Sequence, residues 1–545
     1  MGIQKDQIIN LDAIVVGAGF SGLYMLYRFR KAGLNTQVFE SADGVGGVWH
    51  KNRYPGARCD NESYQYNYTF SEELYKEWTW SSRYPEQSEI LDYLNYVADK
   101  FDLRRDLQLN TKITAARYNE EDNRWKIETD AGTKYSAKYF ITGVGCLSAA
   151  NVPNFKGLDS FEGEWYHTSQ WPKEKVDFTG KRVGVIGTGS TGVQAIPVIA
   201  KEAGHLTVFQ RTAQYSVPAR NYTYDYETIQ KAKENFQETK RQMRESFVGS
   251  AHIEEPRPSA IEDTPEEQEK VYERAWEKGG ASLLLETYAD LLANDESNET
   301  ASEFVRKKIN QIVKDPETAK KLTPTYRIGT KRIVMDTNYF ETYNRENVSL
   351  VDVKANPIVE ITPKGIKTTN GEYELDMIVF ATGYDAMTGS LFKIDIRGRN
   401  GISLQEKWEN GEQTRTYLGV ATAGFPNMFM ITGPESPSVF SNVPVSIEQH
   451  VEWISDCIEY LREHDIEVVE AKVESEDEWS KHCREVGESL LFVKTDSWYT
   501  GANIPGKPRR FLIYLGGVGP YREKCSEIAA NGYEGFSLLT SLKKA

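Results

Sequence analysis

The chain is 545 residues long, 39% hydrophobic and 27% charged, with a net charge of −15 spread along its length; this allows roughly three domains or subdomains and disfavours nucleic acid as a partner. Its five cysteines, Cys59, Cys146, Cys457, Cys483 and Cys525, are far apart and form no CxxC pair, which argues against zinc or a redox dithiol and for reduced thiols in a cytoplasmic protein. The opening MGIQKDQIIN lacks a basic-then-apolar leader and has Asp6 where a myristoylation motif needs Ser or Thr, and no apolar run approaches membrane-spanning length.

The first element, LDAIVVGAGFSGLYMLYRFRKAG, reads as a buried strand, a glycine turn and a helix, with Gly17, Gly19 and Gly22 in GxGxxG spacing. Such a turn binds the pyrophosphate of a dinucleotide, although a tight turn in another α/β domain can share the spacing. The next strand, TQVFE, favours the dinucleotide. Glu40 lies 23 residues past Gly17, where a carboxylate accepts hydrogen bonds from both ribose hydroxyls of an adenosine. YFITGVG at 139–145 is an apolar strand ending in a glycine turn, as expected where a chain leaves one nucleotide domain for another. FEGEWYHTSQWP, from Phe161 to Pro172, follows and resembles neither an amphipathic helix nor an alternating strand.

The strand, glycine turn and helix recur in KRVGVIGTGSTGVQAIPVIAKEAGHLTVFQRT, where Gly187, Gly189, Ser190, Thr191 and Gly192 form the turn. Two such units imply two dinucleotides. The position equivalent to Glu40 is Gln210, followed by Arg211 and Thr212. Exchanging a carboxylate for a guanidinium suits an adenosine with a 2′-phosphate, hence NADPH; a solvated strand-end arginine is the alternative for Arg211. A hydride donor beside a second dinucleotide needs a two-electron acceptor, so the first site is expected to take FAD. Residues 222–322 are charged segments with apolar residues at three and four spacing, expected as a helical insertion with solvated charged faces. MIVFATGYD at 377–385 is a second strand ending in a glycine turn, where the chain returns. The expected fold is α/β, with two Rossmann-like domains: FAD-binding at 8–148 and 385–545, NADPH-binding at 149–221 and 323–384, and the insertion between.

Together these motifs resemble the type I Baeyer-Villiger monooxygenases, FAD- and NADPH-dependent enzymes. Phe161, Gly163, His167, Trp171 and Pro172 match the family fingerprint FxGxxxHxxxW[P/D]. Gly46, Gly47, Trp49, Tyr54, Pro55, Gly56 and Asp60 match GGxWxxxxYPGxxxD, and GTKR, SWYTGAN and GKPR extend the likeness to the far end. In this family NADPH reduces the flavin, O₂ forms a peroxide adduct on the ring, and attack on a ketone yields an ester or lactone. The resemblance implies that Arg332 is the active-site arginine, that Lys331 contacts the NADP 2′-phosphate, and that Asp60 positions the arginine and the flavin. It further implies Arg58 and Trp498 toward the nicotinamide and Tyr66 toward the flavin. GPESPSVFSNVPVS at 433–446 would line the substrate pocket, with Val439 and Phe440 favouring a hydrophobic ketone.

An arginine suits the task because its charge is kept at any working pH; an ordinary structural ion pair between Arg332 and Asp60 is the competing reading. His167, in a linker between nucleotide domains, is expected to bond backbone, the alternative being a proton shuttle. Related flavin monooxygenases that oxidise nitrogen or sulfur share both glycine turns, and Trp171 favours the ketone-oxidising branch. A redox-sensing flavoprotein without turnover is a different class and would need no Arg332.

Overall fold

The computed structural model describes residues 8–540, so the reading of the first seven residues, including Asp6, lies outside the described residues. Two parallel-rich sheets organise the chain. Ile9–Val16 is near the middle of the first, with Ala13, Ile14 and Val15 fully buried, as an apolar run covered on both faces must be. The strand order is Asp395–Arg397, Ile113–Asn119, Arg124–Thr129, Lys134–Thr142, Ile9–Val16, Thr36–Phe39, Leu107–Gln108. Lys134–Thr142 has two partners on one edge: its first half pairs antiparallel with Arg124–Thr129, and its second half pairs parallel with Met428–Met430. The chain beyond 385 thereby completes the sheet that the N-terminal part begins.

The second sheet is wholly parallel, in the order Val348–Asp352, His205–Gln210, Arg182–Ile186, Met377–Phe380, Glu164–His167. Part of the stretch that reads as neither helix nor strand is therefore an edge strand, Glu164–His167. Four residues with one paired edge and two exposed side chains are too few to show a period of two. The flanking residues anchor it. A Cβ on Gly163 would stand 2.6 Å from the Phe161 ring, and Trp171 is buried beside Tyr166 and Phe178.

The two connecting segments run side by side: Ala150 bridges Tyr384, and Asn151 N–H donates to Gly383 O at 2.9 Å. Within 222–322 lie six helices, from Tyr226–Glu234 to Pro316–Leu322. Pro265–Lys278 begins in a Thr264/Glu267 capping box, and its charged face is laced to Asp295–Ile312 by Lys307–Glu269 and Lys308–Glu273 pairs. No helix among the described residues is long and apolar enough to cross a membrane, and their five cysteines are unpaired.

Candidate active site

A cleft of about 2230 Å³ opens between the sheets and is lined by both glycine turns. Both turns use the same geometry. Gly17 and Gly187 have φ of +101° and +110°, a region costly for residues with a Cβ. A Cβ at Gly22 would overlap Gly17 O, and one at Gly192 would overlap Gly187 O, so the third glycine lets helix and strand close together. The helices Phe20–Lys31 and Ser190–Glu202 both begin without a side-chain cap, leaving first-turn N–H groups for an anion. At the middle glycine the turns differ: Gly19 faces Gly47, whereas nothing lies within 4 Å of a Cβ built on Gly189.

Glu40 is buried, and Ala18 N–H and Ala42 N–H donate to its two oxygens at 2.9 and 2.8 Å. These bonds fix the carboxylate at the cleft wall while leaving acceptor capacity. Gln210 does not take the matching position. It is buried and donates to Lys321 O at 2.8 Å, while the next residues, Arg211 and Thr212, are exposed and line the cleft. Lys331 lies 4.6 Å from the Tyr326 ring centroid, and burial first, then the Arg211 and Lys354 charges, pull its ammonium below the usual lysine range. Ser190, Thr191, Lys331 and Lys354 all line the same cleft.

Where the two units meet, Arg332 and Asp60 form a bidentate pair: Nε donates to Oδ2 at 2.7 Å and Nη2 to Oδ1 at 2.8 Å. Nη1 donates to Val439 O at 2.5 Å. Burial would push the Asp60 carboxyl up, but the Arg332 charge and hydrogen bonds outweigh it and hold it below the usual range. Three of the five guanidinium N–H groups are thus used, the buried Tyr499 hydroxyl lies beside the same guanidinium, and Arg332 lines the cleft. Trp49 Nε1 donates to Tyr66 Oη at 3.0 Å, and both rings line the cleft beside Gly47.

The remaining expected residues divide. Trp498 and Val439 line the cleft. Arg58 lies on the wall, but its guanidinium is committed to Tyr84 O at 2.5 Å and Glu86 at 2.7 Å. Phe440 is not brought to the cleft; its ring packs edge-on against Phe492 in an apolar cluster behind the wall. His167 is buried, with Nδ1 accepting from Ser169 N–H at 3.2 Å and Nε2 facing Asn151 O at 3.2 Å and Thr382 Oγ1 at 3.1 Å. It ties the outgoing and returning connections together, and burial holds its pKa below 6.5. The backbone bond expected of it is present.

Two features escaped the sequence reading. Tyr54 Oη donates to Gln194 Oε1 at 2.8 Å, and Gln194 Nε2 donates to Arg58 O at 3.0 Å, while a Cβ on Gly56 would stand 2.5 Å from Gln194 O. The YPG segment is therefore the seam between the first unit and the helix of the second. Lys354 follows the strand Val348–Asp352, which neighbours the Gln210 strand, with Val353 N–H donating to Gln210 O at 2.8 Å. A lysine just past an apolar strand, VSLVDVK, was the available signal, but using it requires the strand order.

Residues 12–248 match the family described as flavin-binding monooxygenase-like. The Baeyer-Villiger monooxygenase of Pseudooceanicola batsensis is 47% identical over 527 residues, 96% of this chain and 95% of its own. The phenazine N-monooxygenase of Lysobacter antibioticus is 45% identical over 97% of both chains. Among solved structures, cyclohexanone monooxygenase from Rhodococcus sp. Phi1 bound to NADP+ superposes with a TM-score of 0.96 at 45% identity, covering 98% of this chain and 100% of that one. Full-length identity of this order, together with the shared geometry of two glycine turns around one cleft, establishes that the chain belongs to the Baeyer-Villiger family of flavin monooxygenases.

Proposed function

We propose that the protein is an FAD- and NADPH-dependent monooxygenase that inserts one oxygen atom of O₂ into a hydrophobic ketone to give an ester or lactone. The observation that carries this reading is the Arg332–Asp60 pair at the junction of two dinucleotide cradles. The residues present fit both cofactors. The first cradle offers Gly17, Gly19, Gly22, Glu40, Gly47, Trp49, Asp60 and Tyr66 to FAD. The second offers Gly187, Gly189, Ser190, Thr191 and Gly192 to the NADPH pyrophosphate, with open space over Gly189. Arg211, Thr212 and Lys331 would hold the 2′-phosphate, which relieves the repulsion between Arg211 and Lys331. We assign the FAD-binding parts to 8–148 and 385–545, of which 541–545 lie outside the described residues, and the NADPH-binding parts to 149–221 and 323–384 around the insertion at 222–322.

When bound, FAD supplies the redox chemistry, accepting hydride from NADPH and activating O₂. Arg332 would then hold negative charge on oxygen with its guanidinium. Because Asp60 and Val439 already fix the guanidinium, little reorganisation is needed as charge develops. The Asp60 carboxylate stays ionised and keeps Arg332 in place. Trp498 would cover the nicotinamide side, with Arg58 supporting the wall through Tyr84 and Glu86. Val439 would give the ketone an apolar contact, and Phe440 would act one layer behind.

The test is product analysis with cyclic, linear and aryl ketones in the presence of NADPH and O₂. An ester or lactone in step with NADPH consumption is the expected result; one-time reduction without turnover would instead indicate a sensor. N-oxidation is the second reading, favoured by the 45% identity to a phenazine N-monooxygenase. It predicts an N-oxide from an aromatic amine and no ester from any ketone.

A further inference from the structure

The loop that carries Val439 begins at a residue with unusual constraints. Glu435 is 2% exposed and has φ of +65°, a left-handed conformation uncommon for a side chain of this kind. Its Oε2 accepts from Thr416 N–H at 3.0 Å and Ser480 Oγ at 2.6 Å, with Thr416 Oγ1 at 3.2 Å. Its carbonyl accepts from Trp479 Nε1 at 3.0 Å, with Cys483 Sγ at 3.7 Å. Its N–H donates to Leu512 O at 2.8 Å.

Trp479, Ser480 and Cys483 belong to one helix, Val473–Glu488, which leads through Leu491–Lys494 into the wall formed by Thr495, Asp496, Ser497 and Trp498. Four residues past Glu435, Val439 O receives Arg332 Nη1. One buried carboxyl group therefore lies at the root of two walls of the same cleft. No cation among the described residues pairs with it: burial pushes it up to about 7, the Arg510 charge opposes that shift, and the neighbouring Cys483 thiol is itself pushed up by burial and by Glu435. A buried acidic group and a left-handed backbone are both costly, and they persist where the surrounding structure compensates.

We propose that Glu435 is a positioning residue: it holds the 433–440 loop so that the Val439 carbonyl meets Arg332, and through Ser480 and Trp479 it fixes that loop relative to the 495–498 wall. The proposal rests on the reading of Arg332 as the working cation. Glu435 touches neither cleft nor cofactor cradle, so its effect passes through Val439 and the helix.

The test compares holoenzyme carrying Glu435→Ala, Glu435→Gln or Ser480→Ala by ester formation, NADPH kinetics and amide deuterium uptake. Glu435→Ala should lower kcat for ester about tenfold while the NADPH KM stays within about twofold. It should also speed uptake in both the 433–441 loop and the 479–498 segment. Glu435→Gln keeps an acceptor for Thr416 and Ser480 and should restore kcat to within about twofold. Ser480→Ala should show a smaller loss of the same kind, and it carries the test alone if Glu435→Ala fails to fold. Wild-type kcat in Glu435→Ala and Ser480→Ala, or faster uptake confined to the loop with the 479–498 segment unchanged, overturns the proposal. If Arg332→Ala still makes ester, the reading of Arg332 falls, and the uptake pattern alone then decides whether Glu435 holds the two walls.

Discussion

The two nucleotide units share a turn and differ at the strand end. In both, the first glycine has positive φ and the third leaves no room for a Cβ against the carbonyl of the first. The second strand of the first unit ends at Phe39 and is followed at once by Glu40, fixed by two backbone amides. That of the second ends in a buried Gln210 and then exposed Arg211, with Lys331 and Lys354 nearby. Under the proposed function the turn would serve what both ligands share, a pyrophosphate, and the strand end what differs, a bare or phosphorylated ribose.

The most severe way to break this symmetry is to fill a third glycine. Gly22→Ala forces a Cβ into Gly17 O, and such overpacking against backbone costs about 1–3 kcal/mol or more. We expect protein purified without yellow colour or bound flavin. Gly192→Ala should instead keep FAD and lose NADPH saturation. Equal flavin content in Gly22→Ala and wild type would show that the first turn does not hold FAD.

Arg332 sits between the units and should separate binding from chemistry. Loss of one preorganised donor of this type costs on the order of 3 kcal/mol, a hundredfold or more in rate. Arg332→Ala should retain FAD and still accept hydride from NADPH, yet form no detectable ester. Stopped-flow absorbance follows the reduction and chromatography the product. Near wild-type ester formation would leave the pair with Asp60 as a structural one. Asp60→Ala should weaken the same step, and the double variant should lose less than the sum of the two.

At the second strand end, Arg211→Ala should raise the NADPH KM by roughly one to two decades, the cost of a charge-assisted contact, while hardly changing NADH. Lys354→Ala, at an exposed position, should shift it by only a few-fold. Equal losses for both nucleotides in Arg211→Ala would remove it as the discriminator.

The smallest effect expected is at the seam. The folded-state pKa of His167 is lowered by burial from 6.5. The unfolded chain therefore binds the extra proton first, and the stability His167 contributes is present above pH 6.5 and declines as pH falls below it. His167→Asn should flatten that acid-side decline, at a cost of about 1 kcal/mol near neutral pH from altered hydrogen bonds. Parallel melting-temperature profiles for the two proteins would rule out His167 as a contributor.

The sequence by itself was enough for whatever is local. Gly17, Gly22, Gly187 and Gly192 were legible because a strand, a tight turn and a helix must follow one another within a dozen residues, and the backbone leaves few residue types for the turn. Glu40 was legible because the crossover length to the next strand is nearly constant. The helical insertion followed from apolar spacing, and the family from motifs spread over the whole chain. What only the tertiary structure decided is long-range. Gln210 is inward and Arg211 outward because the strand is buried on both faces up to its last residue, Gln210, and Arg211 is the first residue past its end, so the strand boundary sets which is which. Lys354 comes to the cleft beside Lys331 because Val348–Asp352 pairs with His205–Gln210, Val348 opposite Leu206 although the two are far apart in the chain. Phe440 leaves the cleft although Val439 stays, because its ring packs against Phe492 in an apolar cluster assembled from segments distant in the chain. Asp60 and Arg332, 272 residues apart, become one bidentate unit only when both sheets close on the same cleft, and no local pattern encodes that meeting.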